Sequence, residues 1–160
     1  MSSRLGILFS AAAVSLLVAC DSRRAPVAAS TRPYAAQTRR ITITTVPLLV
    51  KEQQAVLPFL KKDFAKGGVL EGKEVYAFSP STVTVVEGDT VHFTFINPED
   101  DDHSFVLPDF VVPLPPQRSL DTTYVARRAG IFPIVCAVPS HLPMMSGQLV
   151  VLPASAMAGP

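Results

Sequence analysis

The alternation of apolar and polar positions is clearest in the C-terminal half of the chain. Over Thr90-Val91-His92-Phe93-Thr94-Phe95-Ile96, the residues Val91, Phe93 and Phe95 fall on one face, and His92 and Thr94 on the other. A period of two marks a half-buried strand. It places His92 on the outer surface rather than in a site. Similar short runs at residues 74–78, 82–86, 103–107, 120–126, 131–136 and 149–152 predict further strands. Turn signals divide them: Ser79-Pro80, Glu87-Gly88-Asp89, Asn97-Pro98 and Arg127 to Gly130. Pro133 marks its strand as an edge or a bulge. Residues 108–116 hold four prolines and read as a loop. Short strands at regular spacing indicate an all-β fold, an antiparallel sandwich or barrel.

The pattern differs before residue 73. Ile41-Thr42-Ile43-Thr44-Thr45-Val46 alternates and predicts a strand. Residues 47–66 favour a short helical segment, with Pro47 in its first turn and Gly67-Gly68 as its stop. Pro58 should kink that segment or split it in two, and its apolar face is expected to pack on the sheet. Residues 153–160 read as a tail, and no internal repeat is visible.

The N-terminus carries different information. Arg4 precedes an apolar run from Leu5 to Val18 that is too short for a confident membrane span and has the proportions of a signal peptide. The run ends Leu17-Val18-Ala19-Cys20, which resembles the bacterial lipobox. That resemblance implies removal of residues 1–19, acylation of Cys20 and a lipid-anchored protein of the cell envelope facing the periplasm. Asp21 resembles a retention signal and slightly favours the inner membrane. Residues 20–40 then form the lipidated cysteine and a flexible tether, 41–152 the folded domain.

Charge supports this division. The net charge of +1 conceals five Arg against Asp21 in residues 21–40, and eight Lys or Arg against twelve Asp or Glu in residues 41–160. A mildly acidic domain lacks the clustered basic surface that nucleic-acid binding needs. With Cys20 lipidated, Cys136 is the only thiol left in the domain. In an oxidising compartment a lone thiol must be buried or bound to something.

The neighbourhood of Cys136 favours binding. Cys136-Ala137-Val138-Pro139-Ser140-His141-Leu142-Pro143-Met144-Met145-Ser146-Gly147 brings a thiol, an imidazole and two thioethers into one short loop. Soft sulfur with borderline nitrogen suits copper rather than magnesium or calcium. A second imidazole is available at His103, which opens a strand after the acidic loop Glu99-Asp100-Asp101-Asp102.

Glu87-Gly88-Asp89-Thr90-Val91 through His103-Ser104-Phe105, followed by Cys136, His141 and Met145, resembles the cupredoxins. The Cys-x4-His-x3-Met spacing, with Gly147 two residues on, is similar to azurin. The resemblance covers residues 73–152 and implies a Greek-key β-sandwich around one copper ion. Its ligands would be His103 and His141 through Nδ1, Cys136 as thiolate and Met145 as the weak axial ligand, with Met144 the competitor for that place. The carbonyl of Asp102 would approach the metal, and Ser104 would hydrogen-bond toward the ligand loop. The loop has no second cysteine, which implies a mononuclear site. The implied function is a one-electron carrier and not an enzyme. Its partner would be a redox protein (cytochrome, oxidase or reductase), met at an exposed edge of His141 ringed by Leu142, Pro143 and Met144, and the carrier would be a monomer. The acidic run 99–102 could steer a basic partner. The adjacent methionines keep a copper chaperone or copper-sequestering lipoprotein as the alternative.

Overall fold

A computed structural model describes residues 33–157. The expected signal peptide, Cys20 and the expected tether up to residue 32 lie outside the described residues. Nine strands form two packed sheets. In chain order they are β1 (Thr38–Leu49), β2 (Val75–Ser79), β3 (Thr82–Val86), β4 (Thr90–Asn97), β5 (His103–Leu107), β6 (Phe110–Leu114), β7 (Arg118–Val125), β8 (Gly130–Val135) and β9 (Ser146–Leu152). One sheet has the order β2-β1-β4-β7 and the other β3-β9-β8-β5-β6.

The expected sandwich is present, but its sheets are mixed. β1 runs parallel to β4 and β3 parallel to β9, while the remaining neighbours are antiparallel. Parallel neighbours cannot be joined by a tight hairpin, so the chain returns to the other sheet between them. Alternation is indifferent to strand direction, which is why it could not reveal this.

Both inner faces supply the core. Val91, Phe93 and Phe95 of β4 and Phe78 of β2 line the inner face of one sheet and meet Phe105 of β5 on the other, with ring centroids 4.8 Å apart for Phe95–Phe105 and 5.6 Å for Phe78–Phe105. Tilted and edge-on aromatic pairs of this kind add to area burial. His92 is exposed on the outer face, its Nδ1 3.1 Å from Thr123 Oγ1.

Several boundaries differ from expectation. β1 starts at Thr38 and continues through Pro47 to Leu49, so residues 38–40 are domain rather than tether and 47–49 are strand rather than helix. Pro47 is tolerated because pairing with β4 has ended at Thr44, leaving β2 as the only neighbour there. Residues 110–114 are the edge strand β6, not a loop, and an edge accepts Pro113. The helical segment does divide around Pro58, into a 3-10 turn at Lys51–Ala55 and α1 (Leu60–Phe64). Its Leu60 is buried, but outside the main core, while Val56 and Phe59 are exposed. The segment is therefore a strap between β1 and β2 rather than a helix laid on the sheet. Residues 154–157 form a second 3-10 turn.

The end of the sandwich where β4 begins is locked by Asp89. Its fully buried carboxylate accepts hydrogen bonds from Tyr34 Oη (2.7 Å), Gln37 N (2.8 Å), Arg39 Nε (2.9 Å) and Val86 N (3.2 Å). Arg39, expected in the tether, thus serves the fold. Burial alone would raise the Asp89 pKa. The donors from Gln37, Tyr34, Arg39 and Val86 outweigh it and hold the carboxyl at about 2. Folding therefore favours the charged form. The stabilisation is complete above about pH 4, the ordinary carboxyl range, and is lost as pH falls through about 2. Asp89→Ala should cost about 2–3 kcal/mol in denaturant unfolding at pH 7, because it strands the backbone donors of Gln37 and Val86 and the Tyr34 hydroxyl, while the part-exposed Arg39 stays solvated. It should also flatten the acid limb of the stability profile. A cost below about 1 kcal/mol would show that the lock is not needed.

Candidate metal centre

The far end of β4 builds the site. Asn97, the last residue of β4, is buried and organises the turn that follows. Its Nδ2 donates to the carbonyls of Asp101 (2.9 Å), Leu114 (2.9 Å) and Pro115 (3.1 Å). Its Oδ1 accepts from Thr45 Oγ1 (2.8 Å) and Glu99 N (3.1 Å). The acidic loop is thereby fixed so that β5 starts with His103 facing inward, on the same face as Phe105 and Leu107.

The second ligand segment leaves β8 at Cys136 and returns as β9. Two backbone bonds close it: Cys136 N donates to Met145 O and Met145 N to His141 O, both at 3.0 Å. Gly147 follows where a side chain would collide with the Ser81 carbonyl, so β9 can leave the loop beside that backbone only as glycine. Ser104 Oγ accepts from Ala137 N at 2.9 Å, tying β5 to the loop as the cupredoxin resemblance implied, and lies 3.9 Å from Cys136 Sγ.

These supports bring Cys136, His103 and His141 together, all buried. Cys136 Sγ lies 3.7 Å from His141 Nδ1 and 4.0 Å from His103 Nδ1, and the three donor atoms all lie within 4.8 Å of one another. Such separations are long for hydrogen bonds but suit donors that share one ion. Two bonds of about 2.0–2.3 Å meeting near 120° place their donor atoms roughly 3.7 Å apart. Met145 is fully buried in the same core, whereas Met144 is 37% exposed. A thiol with two imidazoles, and a thioether buried nearby, is a donor set that suits one copper ion of the type 1 kind.

Electrostatics agrees. Burial, then the neighbouring His141, lowers the His103 pKa to about 4, against the opposing pull of Asp101 and Asp102. Burial also lowers that of His141, opposed by Asp101 and Glu74. Both imidazoles are thus neutral at pH 7, with lone pairs free for a metal. His103 Nε2 is buried and has no protein partner among the described residues. A second group, Glu74, Asp101 and His141, also has ligand atoms within 4.8 Å. There, however, Asp101 accepts from Tyr76 Oη and Glu74 from Lys51 N.

One expectation fails. His141 does not present an exposed edge, since it is only 1% exposed. Tyr76 of β2 packs against it with ring centroids 4.6 Å apart. Sequence reading missed Tyr76 and Asn97. Alternation does put Tyr76 inward with Phe78, but its contact with the histidines depends on long-range packing. Asn97-Pro98 was legible only as a strand end.

No protein-family model and no curated protein sequence matches the chain. Solved structures do. A copper nitrite reductase from Nitrosomonas europaea superposes with a TM-score of 0.53 at 25% identity, over 77% of this chain and 44% of that one. The fold is that of the cupredoxins. A multi-copper oxidase from Pseudomonas thermotolerans gives 0.51 at 16% identity, over 75% of this chain and 31% of that one. A blue copper oxidase from Nitrosomonas europaea gives 0.50 at 19%, over 72% and 39%. This cupredoxin-fold chain therefore spans less than half the length of each.

Asn97→Ala would leave three carbonyls at the site without their shared donor. It should lower unfolding stability by about 2 kcal/mol or more and weaken metal uptake as His103 is released. A variant with unchanged stability and uptake would remove Asn97 from the site's support.

Proposed function

We propose that this protein is a mononuclear type 1 copper protein that carries single electrons in the cell envelope. The observation that carries the reading is the convergence of both Nδ1 atoms on Cys136 Sγ within a dry core. Copper held there would accept and release one electron. His103, His141 and Cys136 would hold the ion, and the buried Met145 is better placed than the exposed Met144 to be the axial ligand. The chain's own work is to fix these donors before the ion arrives. The backbone bonds of the ligand loop, the Ser104–Ala137 bond and the aromatic core resist their rearrangement and exclude water. A site that cannot relax far exchanges an electron with little reorganisation.

The carrier would be a monomer anchored through Cys20, facing the periplasm, and would meet a cytochrome, oxidase or reductase. The nitrite reductase and oxidases of similar fold are enzymes by name, but each is more than twice as long as the matched part. Among the described residues, the one further His-containing group shares His141 with the first. That supports a carrier rather than a catalyst. Copper delivery or sequestration is a second reading, favoured by the exposed thioether of Met144 beside the ligand loop.

Addition of copper(II) to the purified protein should give an intense visible thiolate-to-copper band, absent in Cys136→Ser. A colourless protein that takes up only copper(I) would overturn the carrier and favour copper handling. Met145→Leu should keep the colour and raise the reduction potential, while Met144→Leu changes little. The reverse pattern in voltammetry would make Met144 the axial ligand.

A further inference from the structure

We propose that the start of β2 is a clamp for both copper-site histidines and that Tyr76 is their positioning residue. The inference rests on the copper reading above, but its geometry stands in the metal-free chain. The Tyr76 ring is buried, with its centroid 4.6 Å from that of His103 and 4.6 Å from that of His141. The two imidazoles are themselves 4.8 Å apart. The three rings thus form a nearly equilateral triangle. Interplanar angles of 70° and 56° set the tyrosine across both imidazoles rather than stacked on either. Rotation of an imidazole about its own axis would have to displace the tyrosine ring, which close packing resists.

The clamp is anchored on both ligand segments. Tyr76 Oη donates to Asp101 Oδ2 at 2.5 Å, two residues before His103. The Asp101 carbonyl is in turn held by Asn97. Glu74 N donates to Ser140 O at 3.1 Å, one residue before His141, and Lys73 Nζ to Pro139 O at 3.0 Å. The start of β2 therefore holds both loops that carry the histidines.

A further observation gives the ring its task. Metal-ligating histidines are normally oriented by a hydrogen bond from their other ring nitrogen. If His103 ligates through Nδ1, that nitrogen is Nε2, which is buried and has no protein partner among the described residues. The contact these residues do supply is packing, with the Tyr76 ring edge-on to the imidazole. The same ring packs against His141, and both are buried.

Wild type, Tyr76→Phe and Tyr76→Leu separate this role from ordinary core packing. In the metal-free protein, long-range proton–nitrogen NMR should show one sharp set of ring signals for His103 and His141. Tyr76→Leu should broaden or double both sets. Tyr76→Phe, which keeps the ring but drops the Asp101 bond, should fall between. In the copper-loaded protein, Tyr76→Leu should release copper to a chelator about 10–100-fold faster and alter the copper hyperfine pattern in electron paramagnetic resonance. Unchanged ring signals and release in Tyr76→Leu, with only a lower melting temperature, would overturn the proposal. So would a Tyr76→Phe variant as perturbed as Tyr76→Leu, since the ring would then not matter. If Tyr76→Leu does not fold, Asp101→Ala replaces it, and wild-type ring signals in that variant would count against the clamp. If wild type takes up no copper, the proposed function fails, while the metal-free NMR comparison still decides the clamp.

Discussion

The site depends on a loop closed by its own backbone. Cys136 N–H reaches Met145 O, and Met145 N–H reaches His141 O. These two bonds set the positions of a thiol, an imidazole and a thioether whatever their side chains bind. Without them, residues 136–145 would be a flexible loop whose donors had to be gathered at the cost of ordering each residue, about 1–2 kcal/mol apiece. The loop can close because its flanks are paired as strands β8 and β9. It can sit against the core because Gly147 lets β9 pass the Ser81 carbonyl.

His103 comes from elsewhere in the chain, and its position is a separate problem with a polar solution. Asn97 uses both ends of its amide to hold the acidic loop, and Ser104 binds the ligand loop directly. Buried polar networks of this kind are useful only when their members are satisfied. Among the described residues Asn97 finds partners for both ends of its amide, whereas the buried His103 Nε2 finds no protein partner.

Much of this was legible in the sequence. The Val91-Phe93-Phe95 alternation located the core face of β4, and the spacing Cys136, His141, Met145 located the loop. Those signals are local, and local signals survive without a structure. The parallel pairings of β1 with β4 and β3 with β9 left no trace, because alternation specifies faces and not directions. Strand β6 was hidden by Pro113, which an edge tolerates, and by the prolines that flank it. Pro47 concealed the last residues of β1 for the same reason. Nothing local singles out Tyr76 within its short strand. Its meeting with both histidines arises only when the two sheets close on each other.

The burial of His141 changes how the centre must be reached. The cupredoxin resemblance led to an imidazole edge open to a partner, but His141 is buried, packed against Tyr76 of β2 and beside Glu74 at the end of the β1–β2 strap. The strap is not a well-packed helix: its apolar residues are divided between the buried Leu60 and Leu70 and the exposed Val56, Phe59 and Val69. Segments with few buried apolar contacts belong to the low-stability end of a fold. Yet its last residues, Lys73 and Glu74, are bonded to the ligand loop. A contact made on the exposed strap would thus be made on a segment joined by hydrogen bonds to the residues beside His141. The end of the strap and the ligand loop are held together by direct hydrogen bonds, Lys73 Nζ to Pro139 O and Glu74 N to Ser140 O.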